Sequence, residues 1–323
     1  MPKPEKALIS EIRRMAKSPG VSRIIQTGIG DDCAILRIPP GNDTLVTTDF
    51  SLEGVHFRRD WHPPESVGHR CLARGLSDIA AMGGEPVAFF LSLAVPRDLA
   101  QSWITRFTRG LLALASKHDV TLAGGDTAES PNGILADIIV FGTVPKGRAI
   151  LRSGARPGDR IYVTGVLGAA AAAVHQFQAG RGNKPTLRTY ARHFYPEPRI
   201  EAARLLREKA LVTAMIDLSD GLSTDLAHIC EESGFGAEIR SAAIPLARAG
   251  KPAHSVTFEE ALHGGEDYEL LFTAPPTKRI PLEIAGVRIT QIGEITRSKQ
   301  IRLVIESGTH RKVKAQGWEH FRK

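Results

Sequence analysis

The stretch 28-GIGDDCAILRIPPGNDTLVTTDFSLEGVHF-57 combines a glycine turn, paired acids and a strand-like run. It sets two adjacent carboxylates, Asp31 and Asp32, behind a Gly-Ile-Gly turn, and an alternating run over residues 44–49 then ends in Thr-Thr-Asp. Glycine lets the backbone come close to a ligand, and carboxylates at the end of a strand are good oxygen ligands for Mg²⁺. The stretch therefore predicts a strand that delivers acids to a cation.

Three later segments have the same character, because each ends an apolar run with an aspartate beside glycine or serine. They are Leu76-Ser77-Asp78, Gly124-Gly125-Asp126 and Ile216-Asp217-Leu218-Ser219-Asp220-Gly221. For any single aspartate the alternative is a helix N-cap or an Asx-turn, since Asp beside Gly is common in turns. Four such segments in one chain favour acids gathered around several cations, and several cations imply a polyphosphate ligand.

The chain has no standard loop for binding phosphate directly. The Walker motif GxxxxGK[ST] does not occur. A dinucleotide fingerprint needs a third glycine, and at this turn Asp31 and Asp32 would repel the pyrophosphate. Phosphate binding is therefore expected to run through a metal, from aspartate to Mg²⁺ to phosphate oxygen, and phosphoryl transfer of this kind needs no protein nucleophile.

Composition bounds the class of protein. The 323 residues, 42% hydrophobic and 24% charged, are enough for two cores of ordinary size. The net charge of +7 raises the question of nucleic acid. The basic residues are scattered, without a stripe or a base-stacking cluster, so nucleic acid is not an expected partner.

Cysteine usage and hydropathy predict a cytoplasmic protein. The three cysteines are far apart and form no CxxC motif, so neither a disulfide framework nor a zinc site is indicated. The N-terminus reads as an amphipathic helix without the apolar core of a signal peptide. No apolar run is long enough to span a bilayer, so we expect no membrane association.

The order of elements predicts an α/β protein with two domains. The run 145–159, rich in Pro, Gly and Arg, is the expected junction, which divides the chain into residues 1–148 and 149–323. Strands are predicted at 44–49, 89–95, 120–123, 134–144, 160–164 and 268–273. Helices are predicted at 4–17, 64–82, 98–117, 167–178, 197–209 and 221–233.

Other polar residues carry weaker signals. The spacing of His56, His62 and His69 matches no metal signature, so a solvated or substrate-contacting His56 is favoured over a ligand. Asp225, four residues into the helix after Gly221, is expected to be structural or to support a neighbouring metal ligand. The segment 264-GGEDYEL-270 suggests an acid displayed at a strand entrance, with a plain β-turn as the alternative.

Together, these motifs resemble the thiamine-monophosphate kinase family, which belongs to the superfamily of aminoimidazole-ribonucleotide synthetase, selenophosphate synthetase and a hydrogenase-maturation protein. The resemblance extends from residue 28 to residue 321. Selenophosphate synthetase would need a reactive cysteine in a Gly-rich N-terminal segment, and none is found. The motifs, in order, are GIGDDCAIL at 28–36, TTD at 47–49, GVHF at 54–57, LSDIAAMG at 76–83, GGDT at 124–127, RSGARPGD at 152–159, IDLSDGLSTDL at 216–226 and GGEDYELLFT at 264–273.

The resemblance implies a fold and a reaction. The fold has two α/β domains of the aminoimidazole-ribonucleotide synthetase type. The N-terminal domain binds ATP and Mg²⁺, and its sheet pairs with that of a second subunit in a homodimer. The C-terminal domain completes the active site. The reaction is phosphoryl transfer from ATP to thiamine monophosphate, giving thiamine diphosphate in the final step of its biosynthesis.

The resemblance also implies roles for individual residues. The expected Mg²⁺ ligands are Asp32, Thr47, Thr48, Asp49, Asp78, Asp126, Asp217 and Asp220, of which Asp49, Asp126 and Asp217 are expected to be catalytic. The expected ATP contacts are Gly125, Asp126, Arg152 and Ser219. The expected contacts of thiamine monophosphate are His56, Glu266 and an aromatic residue near the C-terminus, assigned to Trp318.

One position departs from the family pattern. Gly75 stands where the family helix, Lys-Ala-Leu-Ala-Val-Asn-Leu-Ser-Asp, has asparagine, and glycine weakens a helix by roughly 1 kcal/mol.

Two other functions are alternatives to the kinase. The first alternative is a superfamily relative with another phosphate or carboxylate acceptor. The second is a non-catalytic nucleotide-binding module, against which the complete set of acids argues.

Overall fold

The computed structural model describes residues 1–16, 24–27, 29, 33–180, 185–318 and 321. The paired acids Asp31 and Asp32 lie outside these residues. Contacts divide the chain into two compact units. The first unit comprises Met1–Ile79 and Gly84–Gly147, and the second comprises Ala80–Gly83 and Arg148–Lys323.

The first unit combines three long helices with a four-stranded sheet in the order β3-β6-β4-β5. Its elements are α1 (Glu5–Met15), β1 (Ile25–Thr27), β2 (Ile35–Leu36), β3 (Asn42–Leu52), α2 (Pro64–Ala81), β4 (Glu85–Val95), α3 (Gln101–Lys117), β5 (Thr121–Glu129) and β6 (Leu135–Pro145). β6 pairs antiparallel with both β3 and β4, and β4 pairs parallel with β5. The apolar run at 134–144 is therefore a central strand, as its composition predicts.

The two faces of this sheet differ in character. Along β6 the side chains of Ala136, Ile138 and Val140 are fully buried, whereas the alternate residues Asp137 and Ile139 are only half-buried. Successive side chains of a strand point to opposite faces. One face therefore carries the core of the unit, and the other, which we call the open face, is partly exposed.

Three strands are longer than the sequence predicts, and one of them, β4, begins at Glu85 instead of residue 89. β3 was expected at 44–49 but pairs with β6 along all of Asn42–Leu52. β5 was expected to stop before Gly124-Gly125-Asp126, yet it continues to Glu129 alongside β4. The strand continues through the two glycines and pairs closely with β4 there. A Cβ at Gly125 would lie 1.9 Å from the carbonyl oxygen of Leu91 in β4. Glycine here permits close pairing of the two strands.

The departure at Gly75 has a packing reason. Helix α2 continues unbroken through Gly75, and a Cβ at that position would lie 2.5 Å from Cγ2 of Val140 in the sheet. Since Val140 is fully buried and its branched side chain has little freedom, asparagine would not fit without a shift. Glycine at 75 lets the helix that carries Asp78 pack closely against β6.

The second unit is built on a larger mixed sheet in the order β16-β15-β9-β14-β7-β12-β8. Its strands are β7 (Arg160–Thr164), β8 (Ala214–Asp217), β9 (Gly236–Arg240), β10 (Arg248–Ala249), β11 (His254–Ser255), β12 (Leu270–Ala274), β13 (Glu283–Ile284), β14 (Val287–Thr296), β15 (Ile301–Val304) and β16 (His310–Lys312). Its helices are α4 (Ala169–Ala179), α5 (Ala191–Phe194), α6 (Ile200–Glu208), α7 (Leu222–Ser233) and α8 (Phe258–His263). The predicted α/β class is confirmed.

A buried ion-pair network fixes the start of β12. The carboxylate of Glu269 is fully buried and accepts hydrogen bonds from Thr164 Oγ1 at 2.6 Å, Arg192 at 2.7 Å and Arg199 Nε at 2.6 Å. A buried charge with these partners is satisfied, whereas removing one partner typically costs about 3–5 kcal/mol. The network therefore holds the strand entrance that follows the segment 264–268.

Within the described part of the chain, no helix has both the length and the apolar character that crossing a membrane requires.

Candidate functional site

In the first unit, three of the predicted ligands meet on the core side of the sheet. Thr47 Oγ1 donates a hydrogen bond to Asp78 Oδ2, which joins β3 to helix α2. Asp49, two residues after Thr47, lies on the same face of β3. Its Oδ1 is 3.7 Å from Nε of Arg74, which stands one helical turn before Asp78. The structure thus places two carboxylates and one hydroxyl together.

The cluster holds two carboxylates close together in a largely buried place. Burial, followed by the neighbouring charge of Asp78, raises the pKa of Asp49 from 3.8 to about 7, while Arg74 opposes the rise. Two carboxylates that disfavour each other's ionisation favour a bound cation. Because the available donors are hard oxygens, the cluster fits Mg²⁺.

Thr48 points away from this cluster. Its Oγ1 donates to Asp137 Oδ1 at 2.8 Å on the open face of the sheet. Since neighbouring residues in a strand face opposite sides, the Thr48 side chain cannot join Asp49 at one ion. A contribution of Thr48 to the same ion as Asp49 would have to come from its main-chain carbonyl.

Asp126 also lies outside the Asp49–Asp78 cluster. It stands in the middle of β5, opposite Ser92 of β4, and Ser92 in turn lies opposite Asp137 of β6. Directly paired residues share a face, so the exposed Asp126 and the half-buried Asp137 both lie on the open face, two strands apart. Asp126 Oδ1 accepts the N–H of Thr127 at 2.8 Å. Its position within a strand excludes the N-cap role.

In the second unit, Asp217 and Asp220 flank the turn between β8 and α7. Asp217 is the buried last residue of β8 and lies opposite Leu270 of β12. Asp225 supports this turn, because its Oδ2 accepts the N–H groups of Gly221 at 3.0 Å and Asp220 at 3.2 Å. This is the structural role expected for Asp225.

Asp225 sits in an unfavourable environment for a charge. Burial raises its pKa well above 3.8, and the charges of Asp217 and Asp220 add to that effect. Ligand atoms of Asp220, Asp225 and His228 lie within 4.8 Å of one another, a grouping that could hold a metal ion. The second unit therefore repeats the crowding of carboxylates seen in the first.

The segment 264–268 runs beside this turn. The N–H of Glu266 donates to the carbonyl of Ser219 at 2.8 Å, and that of Tyr268 donates to Leu218 at 2.9 Å. Glu266 adopts the left-handed backbone region, with φ of 66°. Instead of forming a plain β-turn, the segment is tied along its length to the loop that carries Ser219 and Asp220.

Asp267 anchors the other side of the segment. Its Oδ2 accepts the N–H of Gly168 at 2.7 Å, at the start of helix α4. Burial raises the pKa of Asp267 to about 7. Asp267 therefore serves the fold.

The remaining predicted contacts are His56, Arg152 and Trp318. His56 follows β3, and its Nδ1 accepts the N–H of Leu52 at 3.0 Å, which leaves the proton of the neutral ring on Nε2. Arg152 is exposed, and its carbonyl accepts a hydrogen bond from Ser233. Trp318 is 53% exposed, and its main-chain N–H donates to the carbonyl of Asp220 at 3.1 Å.

Two polar residues near these groups were not selected from the sequence. Asp137 could have been identified from the sequence, because it interrupts an otherwise apolar central strand. His228 is three residues after Asp225 on α7, a spacing that places both on one helical face. Asp32, by contrast, was selected but lies outside the described residues.

The family of the chain follows from comparison with known proteins. Residues 30–144 match the model of the AIR synthase related protein, N-terminal domain, and residues 156–306 match that of the C-terminal domain. The chain is 39% identical over 309 residues to the thiamine-monophosphate kinase of Escherichia coli (strain K12), with 92% of each chain covered. The chain belongs to the thiamine-monophosphate kinase family.

Solved structures of thiamine-monophosphate kinases share the fold. The crystal structure of thiamine-monophosphate kinase from Stenotrophomonas maltophilia K279a matches with a TM-score of 0.81 and 34% identity, covering 92% of this chain and 95% of that chain. The structure of AaThiL complexed with AMPPCP and TMP matches with a TM-score of 0.77 and 30% identity, covering 98% of this chain and 97% of that chain. The resemblance inferred from the sequence motifs is confirmed.

The first prediction concerns Asp49 in the absence of metal. Its folded-state pKa of about 7 exceeds the ordinary 3.8, so the stability contributed by its protonated form is complete below about pH 4 and is lost as the pH rises through 7. In chelator, the melting temperature of the wild type should therefore fall more steeply between these values than that of Asp49→Asn. Above pH 7 the variant should melt higher.

The control for this measurement is Asp98→Asn, which changes an exposed carboxylate away from the cluster. Its melting temperature should follow the wild type across the whole pH range. Parallel curves for the wild type and Asp49→Asn would show that the pKa of Asp49 is not raised in the folded protein.

Proposed function

We propose that this protein transfers the γ-phosphoryl group of ATP to the phosphate of thiamine monophosphate, giving thiamine diphosphate. The observation that carries the proposal is the 39% identity to a thiamine-monophosphate kinase over 92% of both chains. The crowded aspartates of each unit support it, because phosphoryl transfer depends mainly on positioning and on charge stabilisation.

The proposed Mg²⁺ ligands are the acids and hydroxyls predicted from the motifs. Asp49 and Asp78 serve in the first unit, with Thr47 holding the carboxylate of Asp78 in place. Asp217 and Asp220 serve in the second unit. When bound, Mg²⁺ would bridge phosphate oxygens and neutralise the charge that develops on them.

The remaining ligands and the ATP contacts are also proposals. Asp126 and the main chain of Thr48 are assigned to Mg²⁺, and Asp32 is assigned by its motif alone. Gly125 and Asp126 are assigned to ATP in the first unit by their motif. Ser219 and Arg152 are assigned to ATP in the second, where an exposed guanidinium can bind phosphate by charge-assisted hydrogen bonds.

Three residues are assigned to the acceptor. His56 can donate from Nε2 to a phosphate oxygen, since Nδ1 already accepts the N–H of Leu52. Glu266 is assigned to the thiamine moiety because its carboxylate favours a cationic partner. Trp318, half-exposed, offers a ring face on which a heteroaromatic cation can stack.

The second prediction is the substrate preference. With ATP and Mg²⁺, the protein should convert thiamine monophosphate to thiamine diphosphate, because the acceptor oxygen belongs to a phosphate. Free thiamine, the control substrate, should yield little or no thiamine monophosphate. Both products are separated and quantified by chromatography.

The same assay distinguishes the other functions. Robust phosphorylation of free thiamine would overturn the assignment of the acceptor. ATP consumption with a different phosphate or carboxylate acceptor would identify a superfamily relative. Nucleotide binding without any turnover would identify a non-catalytic module.

We further propose a homodimer formed through the open face of the first unit. Val46 and Phe50 on β3 are 58% and 54% exposed on this face, and Val46 lies opposite Phe141 of β6. Phe141 makes an edge contact with Phe90 of β4, with the ring centroids 5.5 Å apart. An exposed apolar patch of this kind on a sheet face favours cover by another surface.

The third prediction tests that dimer. Light scattering at micromolar concentration should give twice the 35.0 kDa chain mass for the wild type. Phe50→Glu should give the mass of one chain, because a buried carboxylate without a partner is costly at an apolar interface. A wild-type mass of a single chain would contradict the proposal.

The cellular setting is also part of the proposal. The three cysteines, Cys33, Cys71 and Cys230, are free thiols in the structure, which suits the reducing cytoplasm. The expected partners are ATP, thiamine monophosphate and a second copy of the chain. Nucleic acid and membrane are not among the proposed partners.

A further inference from the structure

A short segment near the C-terminus is bound to the loop that carries Asp220. We call residues 313–318 the C-terminal strap. Three consecutive N–H groups of the strap donate to this region: Gln316 to Ser223 Oγ at 3.4 Å, Gly317 to Thr224 Oγ1 at 3.0 Å and Trp318 to the carbonyl of Asp220 at 3.1 Å. The strap is therefore held through its main chain by the first turn of helix α7.

Gly317 is required at its position for steric reasons. A Cβ at this residue would lie 2.0 Å from the carbonyl oxygen of Asp220 and 2.6 Å from Thr224 Oγ1. The backbone of Gly317 does not occupy the left-handed region, so conformational freedom is not the reason for glycine. Any side chain would push the strap away from Asp220.

Ser223 links the strap to a third segment. Its side chain is fully buried, and its Oγ lies 2.8 Å from Nδ1 of His263, the last residue of helix α8. The neighbouring Gly221 packs so closely on this helix end that a Cβ would lie 2.8 Å from the carbonyl oxygen of His263. The start of α7 is thus fixed against the residues that lead into Glu266.

Glu266 is tied to the same loop from the other side. The N–H of Glu266 donates to the carbonyl of Ser219. The neighbouring Gly265 packs against the same carbonyl, because a Cβ at Gly265 would lie 2.4 Å from the carbonyl oxygen of Ser219. One hydrogen-bonded hub in the second unit therefore sets the main-chain positions of Asp220, Glu266 and Trp318.

We propose that Gly317 and Thr224 are positioning residues that set Trp318 for the ring of thiamine monophosphate, relative to the loop that carries Asp220 and Glu266. The inference rests on the proposed function, which assigns Trp318 to that ring. Neither residue needs to contact the substrate. Their role is to hold the strap, so losing it should affect acceptor binding before it affects ATP binding.

The fourth prediction follows from removing one hydroxyl. Thr224→Val keeps the shape of the side chain but removes the acceptor of the Gly317 N–H. The loss of one such bond should raise the KM for thiamine monophosphate about fivefold, with kcat and the KM for ATP changed by less than about twofold. Thr224→Ser retains Oγ and should restore the wild-type KM.

The matched control is Thr290→Val. Thr290 lies on β14, and its hydroxyl has no hydrogen-bond partner among the residues that the structure describes. The same chemical change at this position should leave all three kinetic constants unchanged. A rise in the acceptor KM for Thr290→Val equal to that for Thr224→Val would overturn the inference, because the effect would then follow from any lost hydroxyl.

Gly317→Ala tests the steric part of the argument. Its Cβ cannot be accommodated against Asp220, so the acceptor KM should rise more than for Thr224→Val, by about tenfold or more. Release of the strap should also speed tryptic cleavage after the exposed Lys314, measured by mass spectrometry. This readout does not depend on turnover. Unchanged cleavage and unchanged KM would overturn the inference.

Trp318→Ala separates this inference from the proposed function. If it raises the acceptor KM while Thr224→Val and Gly317→Ala do not, the strap does not position Trp318 and the proposed function stands. If Trp318→Ala leaves the acceptor KM unchanged, the assignment of Trp318 fails and the inference falls with it. If all three raise the acceptor KM and Thr224→Ser does not, the inference is supported.

Discussion

The close approach of aspartates within each unit is the constraint on which the rest of the site depends. Burial and the nearby charge of Asp78 raise the pKa of Asp49 to about 7, and Asp225 is buried beside Asp217 and Asp220. Carboxylates repel one another in a low dielectric, and a bound cation would relieve that repulsion. The fold supplies the packing that keeps them together.

The supporting structure is built from close main-chain contacts in which glycine recurs. Gly75 lets α2 bring Asp78 to the sheet, and Gly125 lets β5 pair with β4. In the second unit, Asp225 accepts two N–H groups of the loop that contains Asp220, and Glu269 fixes the start of β12. These groups stabilise the backbone so that the acidic side chains have few alternative positions.

The fold class and the segments that contain the clustered aspartates could be predicted from the sequence, because both follow from short-range patterns. The sequence placed Asp78 and Asp217 near the ends of regular elements, where the structure has them. It also ended a strand at Asp49, whereas β3 continues to Leu52. It did not show that Asp126 lies within a strand, since the extension of β5 depends on pairing with β4. Nor did it show that the strap reaches Thr224, 93 residues earlier in the chain. Contacts of this range depend on tertiary packing.

Whether the aspartates bind nucleotide only through cations can be measured by calorimetric titration of ATP into the protein at graded Mg²⁺ concentrations, without acceptor. ATP affinity should fall steeply as Mg²⁺ is removed and should be lost in chelator, because the unshielded carboxylates repel the phosphates. ATP binding in chelator as tight as in saturating Mg²⁺ would show that the aspartates do not bind nucleotide through cations.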